Sequence, residues 1–169
     1  MTLIHSSSAT KNEVFDSVRE ILKKNHFSII SEEFRPWGGF FVIDEQQATE
    51  FRSHFFPEEV ISTDHALKLS PKILVVEAGK RLSWQYHDRR SEIWTAIGGS
   101  PGVVTSKTDE QEGLRLLVPG EIITLRRGER HRLVGLTDWG IVAEIWQHTD
   151  PIRPSDEEDI VRLEDDFGR

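Results

Sequence analysis

The sequence predicts a mainly β chain folded as an antiparallel sandwich or barrel, and three observations predict it. From Lys72 onward, short runs rich in β-branched and aromatic residues follow one another: Ile73 to Val76, Leu82 to Tyr86, Ile93 to Ile97, Val103 to Ser106, Leu114 to Val118, Ile122 to Leu125 and Ile141 to Trp146. Gly, Pro, Asp and charged turns separate these runs at about ten-residue intervals. Apolar residues make up 37% of the 169 positions, enough to close one core but not two.

Taken in order, the chain starts polar, and Ser8 or Thr10 can cap a helix that runs to about Lys24. Val14, Phe15, Val18, Ile21 and Leu22 recur at helical spacing, so one apolar face should pack on the body. Residues 1–33 read as this helical extension, and residues 34–169 as the β domain. Phe27 to Ile30 and Phe40 to Ile43 are short β-favouring runs around the turn signal Arg35-Pro36-Trp37-Gly38-Gly39. Asp44 to Phe56 reads as a second short helix. After the seven runs, Asp150 to Arg169 is acidic and contains proline, which predicts a tail laid over the surface.

Composition also narrows the function. The formal charge of −8 argues against a general nucleic-acid or anionic-membrane surface, because either needs a basic face. Any anion must therefore be recognised locally. With no cysteine, disulfides and thiolate metal sites are impossible. There is no signal-peptide pattern and no apolar stretch near the ~20 residues of a membrane span, so a cytoplasmic location is expected.

Gln85 and His87 are two apart in a predicted strand, so their side chains leave the same face. Glu92 follows after Asp88 to Ser91, a length that suits a tight turn back beside the pair. His131 is predicted in a polar turn after Gly128 and can join only if the two halves pack face to face. Imidazole, carboxylate and amide oxygen suit one divalent ion, with Zn favoured and Mn, Fe, Co or Ni open.

These residues resemble the two signatures of the cupin superfamily. The first, Gly-x5-His-x-His-x4-Glu-x6-Gly, is met by Gly79-x5-Gln85-x-His87-x4-Glu92-x6-Gly99. The second, Gly-x5-Pro-x-Gly-x2-His-x3-Asn, is met by Gly120, Gly128 and His131, with Arg126 for the proline and Gly135 for the asparagine. The resemblance implies a cupin fold, a double-stranded β-helix or jelly-roll barrel, here with an N-terminal helix and a second short helical insertion. Glutamine in place of the first histidine is a feature of phosphomannose isomerases. Gly79-Lys80-Arg81-Leu82-Ser83-Trp84-Gln85-Tyr86-His87, Arg90-Ser91-Glu92-Ile93-Trp94 and His131-Arg132-Leu133 are similar to the type II family. Arg35-Pro36-Trp37-Gly38 and the ending from Glu158 to Arg169 resemble the isomerase domain of its bifunctional guanylyltransferase/mannose-6-phosphate isomerase members. The nucleotidyltransferase domain is absent, so that activity does not carry over. Residues 44–71 stand as an insertion that could line the pocket.

The resemblance implies an aldose–ketose isomerase that moves a proton between C1 and C2 of a sugar phosphate through an enediol. A metal would act there as Lewis acid. Lys72, Arg90 and Arg132 are candidates to stabilise the enediolate or grip phosphate, since guanidinium offers a fixed fork of donors. Arg126 and Glu144 are candidates for substrate binding. Arg127 and Arg130 read as surface cations paired with acids. The general base is open among Lys72, Glu144 and His148. Trp84 and Tyr86 should face away from Gln85 and His87, as core or dimer contacts. A homodimer is the family-level expectation. Two other readings stand beside the isomerase: a non-catalytic cupin that binds a sugar or nucleotide sugar, and an Fe(II) oxygenase using His87, Glu92 and His131.

Overall fold

Two strands explain the architecture. In β3 (Leu69–Val76) and β10 (Gly140–His148) nearly every residue is buried, which requires a sheet covered on both faces. The computed structural model, which describes residues 3–57 and 67–168, shows what covers each face. Ile73, Val75, Ile141, Ala143 and Ile145 point outward to α1 (Lys11–Lys24) and α2 (Ala48–Phe55). Leu74, Val76 and Val142 point inward to a second sheet. Burying each such aliphatic side chain contributes about 1.5–3 kcal/mol.

The first sheet has the order β1 (Ile29–Arg35), β2 (Gly38–Ile43), β3, β10, β5 (Arg90–Gly98), β8 (Ile122–Leu125). The second has the order β11 (Val161–Glu164), β4 (Trp84–Tyr86), β9 (Arg130–Val134), β6 (Gly102–Ser106), β7 (Arg115–Leu116). All pairings are antiparallel. The inner core of Trp37, Leu74, Trp94, Leu125, Leu133 and Val142 lies between the sheets.

Thr10 is the cap of α1. Its hydroxyl accepts from the Glu13 amide at 3.2 Å, and the Glu13 carboxylate accepts from the Thr10 amide at 2.7 Å. Val14, Phe15, Val18 and Leu22 are buried as their spacing requires, whereas Ile21 stays half-buried. The hairpin between β1 and β2 turns on Pro36 and Trp37 alone, so Gly38 and Gly39 belong to the strand. Gly38 is needed there because its φ is +143° and a Cβ would stand 1.9 Å from the Val75 carbonyl oxygen in β3.

Several expected elements shift. The first β run begins at Ile29 and extends to Arg35, because β1 is an edge strand whose exposed positions accept Ser31 and Glu32. The second helix splits: Asp44 accepts from the Gln46 amide and opens a 3-10 turn over Glu45–Gln47, and α2 follows. Strand β4 is only three residues long, which leaves His87 just beyond its end, and β7 shrinks to Arg115 and Leu116. His131 lies on a strand, β9, and not in a turn. The expected surface tail contains β11, which pairs with β4. Of the insertion, α2 packs on the outer face, and none of its described residues lines the inner cavity. Residues 58–66 lie outside the described residues. Among the described residues, no helix is long and apolar enough to cross a membrane.

Candidate metal centre

The middle of the first sheet sets the site by register. Across β3, β10 and β5, Glu144 is opposite both Lys72 and Trp94, Trp146 is opposite Glu92, and His148 is opposite Arg90. Alternation sends Lys72, Arg90, Glu92, Trp94, Glu144 and Trp146 to the inner face, where all six line one cavity. The second sheet supplies the rest. Gln85 on β4 is the register partner of His131 on β9, and His87 follows the end of β4.

His87, Glu92 and His131 each offer one ligand atom, all within 4.8 Å of one another, and all three are buried. His87 Nε2 lies 3.2 Å from Glu92 Oε1, and His131 Nε2 lies 3.4 Å from Glu92 Oε2. Both imidazoles are oriented from behind. His87 Nδ1 is 2.6 Å from the Asp159 carbonyl oxygen and His131 Nδ1 is 3.0 Å from that of Glu129. Carbonyl oxygens only accept, so Nδ1 carries the hydrogen in each ring and Nε2 presents its lone pair to Glu92. His131 Nε2 is buried with no hydrogen-bond partner. An orphaned imidazole lone pair beside a carboxylate is what a divalent ion would satisfy, so the donor set fits one. Gln85 faces the same point, its amide 3.4 Å from His87 Nε2, while Ser83 Oγ is 2.5 Å from its Oε1. Coordination requires the amide to turn end for end, which the Ser83 hydroxyl tolerates because it can donate or accept.

Burial pushes the Glu92 carboxyl up, but His87, Arg90 and His131 outweigh it and hold Glu92 well below the usual carboxylate range. The Arg90 guanidinium donates from Nε to Glu92 Oε1 at 2.8 Å and from Nη2 to His87 Nε2 at 3.2 Å, and it lies over the Trp146 ring at 3.6 Å. Glu144 stands oppositely. Burial and then the charge of Glu92 push it well above the usual range, although Trp94 Nε1 and Trp146 Nε1 donate to its two oxygens at 2.7 and 2.8 Å. One inner wall thus holds two carboxyl groups whose acidities are driven apart.

Burial pushes the His87 imidazole down to about 3. In the metal-free protein this shift has a testable sign. The unfolded chain takes up the proton near pH 6.5 and the folded chain only near 3, so this stability is present above 6.5 and lost as pH falls through that window. His148, pushed down by burial and then by Lys68 to about 4, acts in the same direction. Thermal melts in chelator should drop by roughly 10 °C on acidification through this window, and His87→Gln should flatten the fall. An unchanged slope in that variant would remove His87 as its source.

The other expected site residues divide. Lys72, Arg90 and Glu144 reach the cavity. Arg132, next to His131 on β9, alternates to the other side, where it donates to the Leu82 carbonyl oxygen at 2.8 Å and to Glu164 at 3.2 Å. Arg126 is exposed at the end of β8 and does not line the cavity, and Arg127 is exposed with it. Arg130 pairs with Asp109 and covers Tyr86. Trp84 is buried and Tyr86 half-buried, and neither lines the cavity. His148 is engaged at both nitrogens, by Ser70 and the Ser155 amide, away from the cavity. Asp159 went unnoticed in the acidic C-terminal segment. Its carbonyl orients His87, and its carboxylate accepts from the amides of Asp88 and Arg89 at 3.0 Å each.

No protein-family model and no curated protein matches the chain. Solved structures do match. Oxalate decarboxylase from Bacillus subtilis superposes with a TM-score of 0.57 at 11% identity, over 79% of this chain and 30% of that one. The capsular polysaccharide assembling protein CapF from Staphylococcus aureus superposes with a TM-score of 0.50 at 16% identity, over 79% of this chain and 34% of that one. The chain spans about a third of the length of each. At these identities the likeness speaks to fold alone, and with the two antiparallel sheets and short helices it shows that this chain has the cupin fold.

Proposed function

We propose that the protein is a metal-dependent aldose–ketose isomerase acting on a sugar phosphate, of the mannose-6-phosphate isomerase type. One observation carries the reading: Gln85 and Glu92 of the metal-ligand set, cationic Lys72 and Arg90, and the carboxyl of Glu144 line a single cavity. Gln85, His87, Glu92 and His131 would hold the ion, which when bound would polarise the oxygens at C1 and C2 and acidify the C–H bond between carbonyl and hydroxyl.

The remaining roles fall to the protein. Glu144, clamped between two indole donors, is the proton carrier. Ionised, it takes the C2 proton of the aldose, and the acid so formed returns it to C1 of the enediol while the O2 hydroxyl proton passes to O1, which gives the ketose. Arg90, held on Glu92 beside the ligand set, stabilises the negative charge that develops on the enediolate oxygens. Trp94 and Trp146 hold the carrier and keep water from its oxygens. The cation-lined cavity in a chain of net charge −8 supports a local anion site.

Conversion of mannose 6-phosphate and other aldose phosphates, assayed with Zn, Mn, Fe, Co and Ni added in turn, tests the reading. The wild type should turn over at least ~100-fold faster than His87→Ala. Activity no greater than that control on every aldose phosphate would sink the isomerase. Ligand binding without chemical change would leave a sugar-binding cupin, and oxygen uptake with iron would point to an oxygenase.

A further inference from the structure

The cavity is lined on its outer side by groups that the isomerisation chemistry does not use. Trp37 Nε1 is a buried donor with no hydrogen-bond partner, on a side chain only 4% exposed that lines this cavity. Leaving such a donor unsatisfied is costly in the free protein, so an acceptor brought by a ligand is favoured at that point. Lys72 is 5% exposed, its ammonium 4.6 Å from the Phe40 ring centroid and 3.9 Å from that of Trp146. Its carboxylate partner is Glu157, from the C-terminal segment, whose side chain is 62% exposed. Arg35 and Arg162 stand at the same rim.

The pairing of Lys72 with Glu157 is asymmetric. The ammonium is fixed in the wall, while the carboxylate reaches it from solvent. Around Glu157 the backbone is pinned on both sides: Arg90 Nη1 donates to Ser155 Oγ at 2.9 Å, and Asp159 is held by Asp88, Arg89 and Ser155. Only the Glu157 side chain needs to swing for the ammonium to be freed. The cavity beneath it holds about 100 Å³, against the ~300 Å³ or more of ordinary small-molecule sites, so a sugar phosphate requires some such movement.

We propose that Lys72, Trp37 and Arg35 form the seat of the substrate's phosphate group, and that the Glu157 carboxylate occupies this seat in the free protein as an internal competitor. Naming the anion as phosphate rests on the isomerase reading; the seat itself rests on the geometry. A phosphate dianion displaces the single carboxylate charge from Lys72, accepts from Trp37 Nε1 and draws Arg35 inward from its partner Glu33. Recognition of the far end of the substrate is thereby coupled to opening of the cavity.

The test is calorimetric titration of inorganic phosphate into the full chain, with chelator present so that no ion binds the phosphate. Glu157→Gln should bind about fivefold more tightly than wild type, since the carboxylate no longer competes for Lys72. Trp37→Phe, which keeps the ring in the core and removes only the N–H, should bind about tenfold more weakly. Lys72→Met should bind none. Should Lys72→Met fail to fold, the first two variants decide alone, because Glu157 lies on the solvent side of its pair and Trp37→Phe keeps the ring in the core. Phosphate affinity unmoved by Glu157→Gln or by Trp37→Phe, or no phosphate binding by any form, overturns the seat. The expected affinity order without turnover of any aldose phosphate keeps the seat and removes the isomerase. Turnover without that order does the reverse.

Discussion

Glu92→Gln should abolish metal binding and lower stability by about 3 kcal/mol or more, the largest effect expected from any isosteric change in this chain. The reason lies in what the two oxygens do. Oε1 accepts from Arg90 Nε at 2.8 Å and faces His87 Nε2, and Oε2 accepts from Trp94 Nε1 at 3.2 Å and faces His131 Nε2. An amide has one acceptor and one donor end, so whichever way it turns, an NH2 group meets either the Arg90 or the Trp94 donor. Arg90 is 5% exposed and would keep only neutral partners, among them Ser155 Oγ, the Asp156 carbonyl oxygen, His87 Nε2 and the Trp146 ring. A buried guanidinium deprived of its carboxylate is the costly half of a broken ion pair. Equilibrium dialysis against zinc, read beside chemical denaturation in chelator, separates the two consequences. Stoichiometric metal with an unchanged midpoint would show that Glu92 is neither ligand nor counter-ion.

Arg90 also explains why binding of an ion should be felt beyond the ligands. Its Nη2 donates to the same His87 lone pair that coordination would use. Coordination would require Arg90 to give up that contact, while Glu92, Trp146 and the C-terminal segment could still hold it. It is therefore a positioning residue for the centre as well as a candidate to face the enediolate.

What the sequence revealed follows the physics of burial. Strands β3 and β10 were legible because a sheet covered on both faces needs nearly continuous apolar runs, and α1 because its apolar positions fall at helical spacing. The grouping of Gln85, His87 and Glu92 was legible because a two-residue period and a short turn limit where the side chains go. Strand β9 was hidden. Its inward positions include His131, and Arg132 goes to the other face to bond Leu82 and Glu164, so Arg126 to Arg132 reads as a charged turn. The C-terminal segment was hidden for the same reason. It is held by the buried arginines Arg90 and Arg132 and the half-buried Arg81, and a periodicity of apolar residues carries no trace of charge complementarity. Arg126 and Arg132 were thus drawn to the site by the motif that contains them, while strand direction takes them elsewhere.

Asp159→Ala is the second change expected to act strongly, and it acts on the centre without touching it. The carboxylate accepts from the Asp88 and Arg89 amides at 3.0 Å each and from Ser155 Oγ at 2.6 Å, in a residue 4% exposed. Truncation leaves two backbone donors and a hydroxyl without their acceptor, a loss of about 3 kcal/mol at ~1–3 kcal/mol for each buried donor that water cannot reach. The carbonyl that orients His87 belongs to the same residue, so loosening this turn lets the imidazole rotate. Zinc affinity should fall about 10- to 100-fold at temperatures where the variant is still folded, which loss of stability alone would not produce. Asp159→Asn keeps one acceptor and should recover part of both losses. Wild-type zinc affinity in a destabilised Asp159→Ala would confine the residue to fastening the chain end. A matched fall in both would show that the acidic C-terminal segment is a working wall of the metal centre.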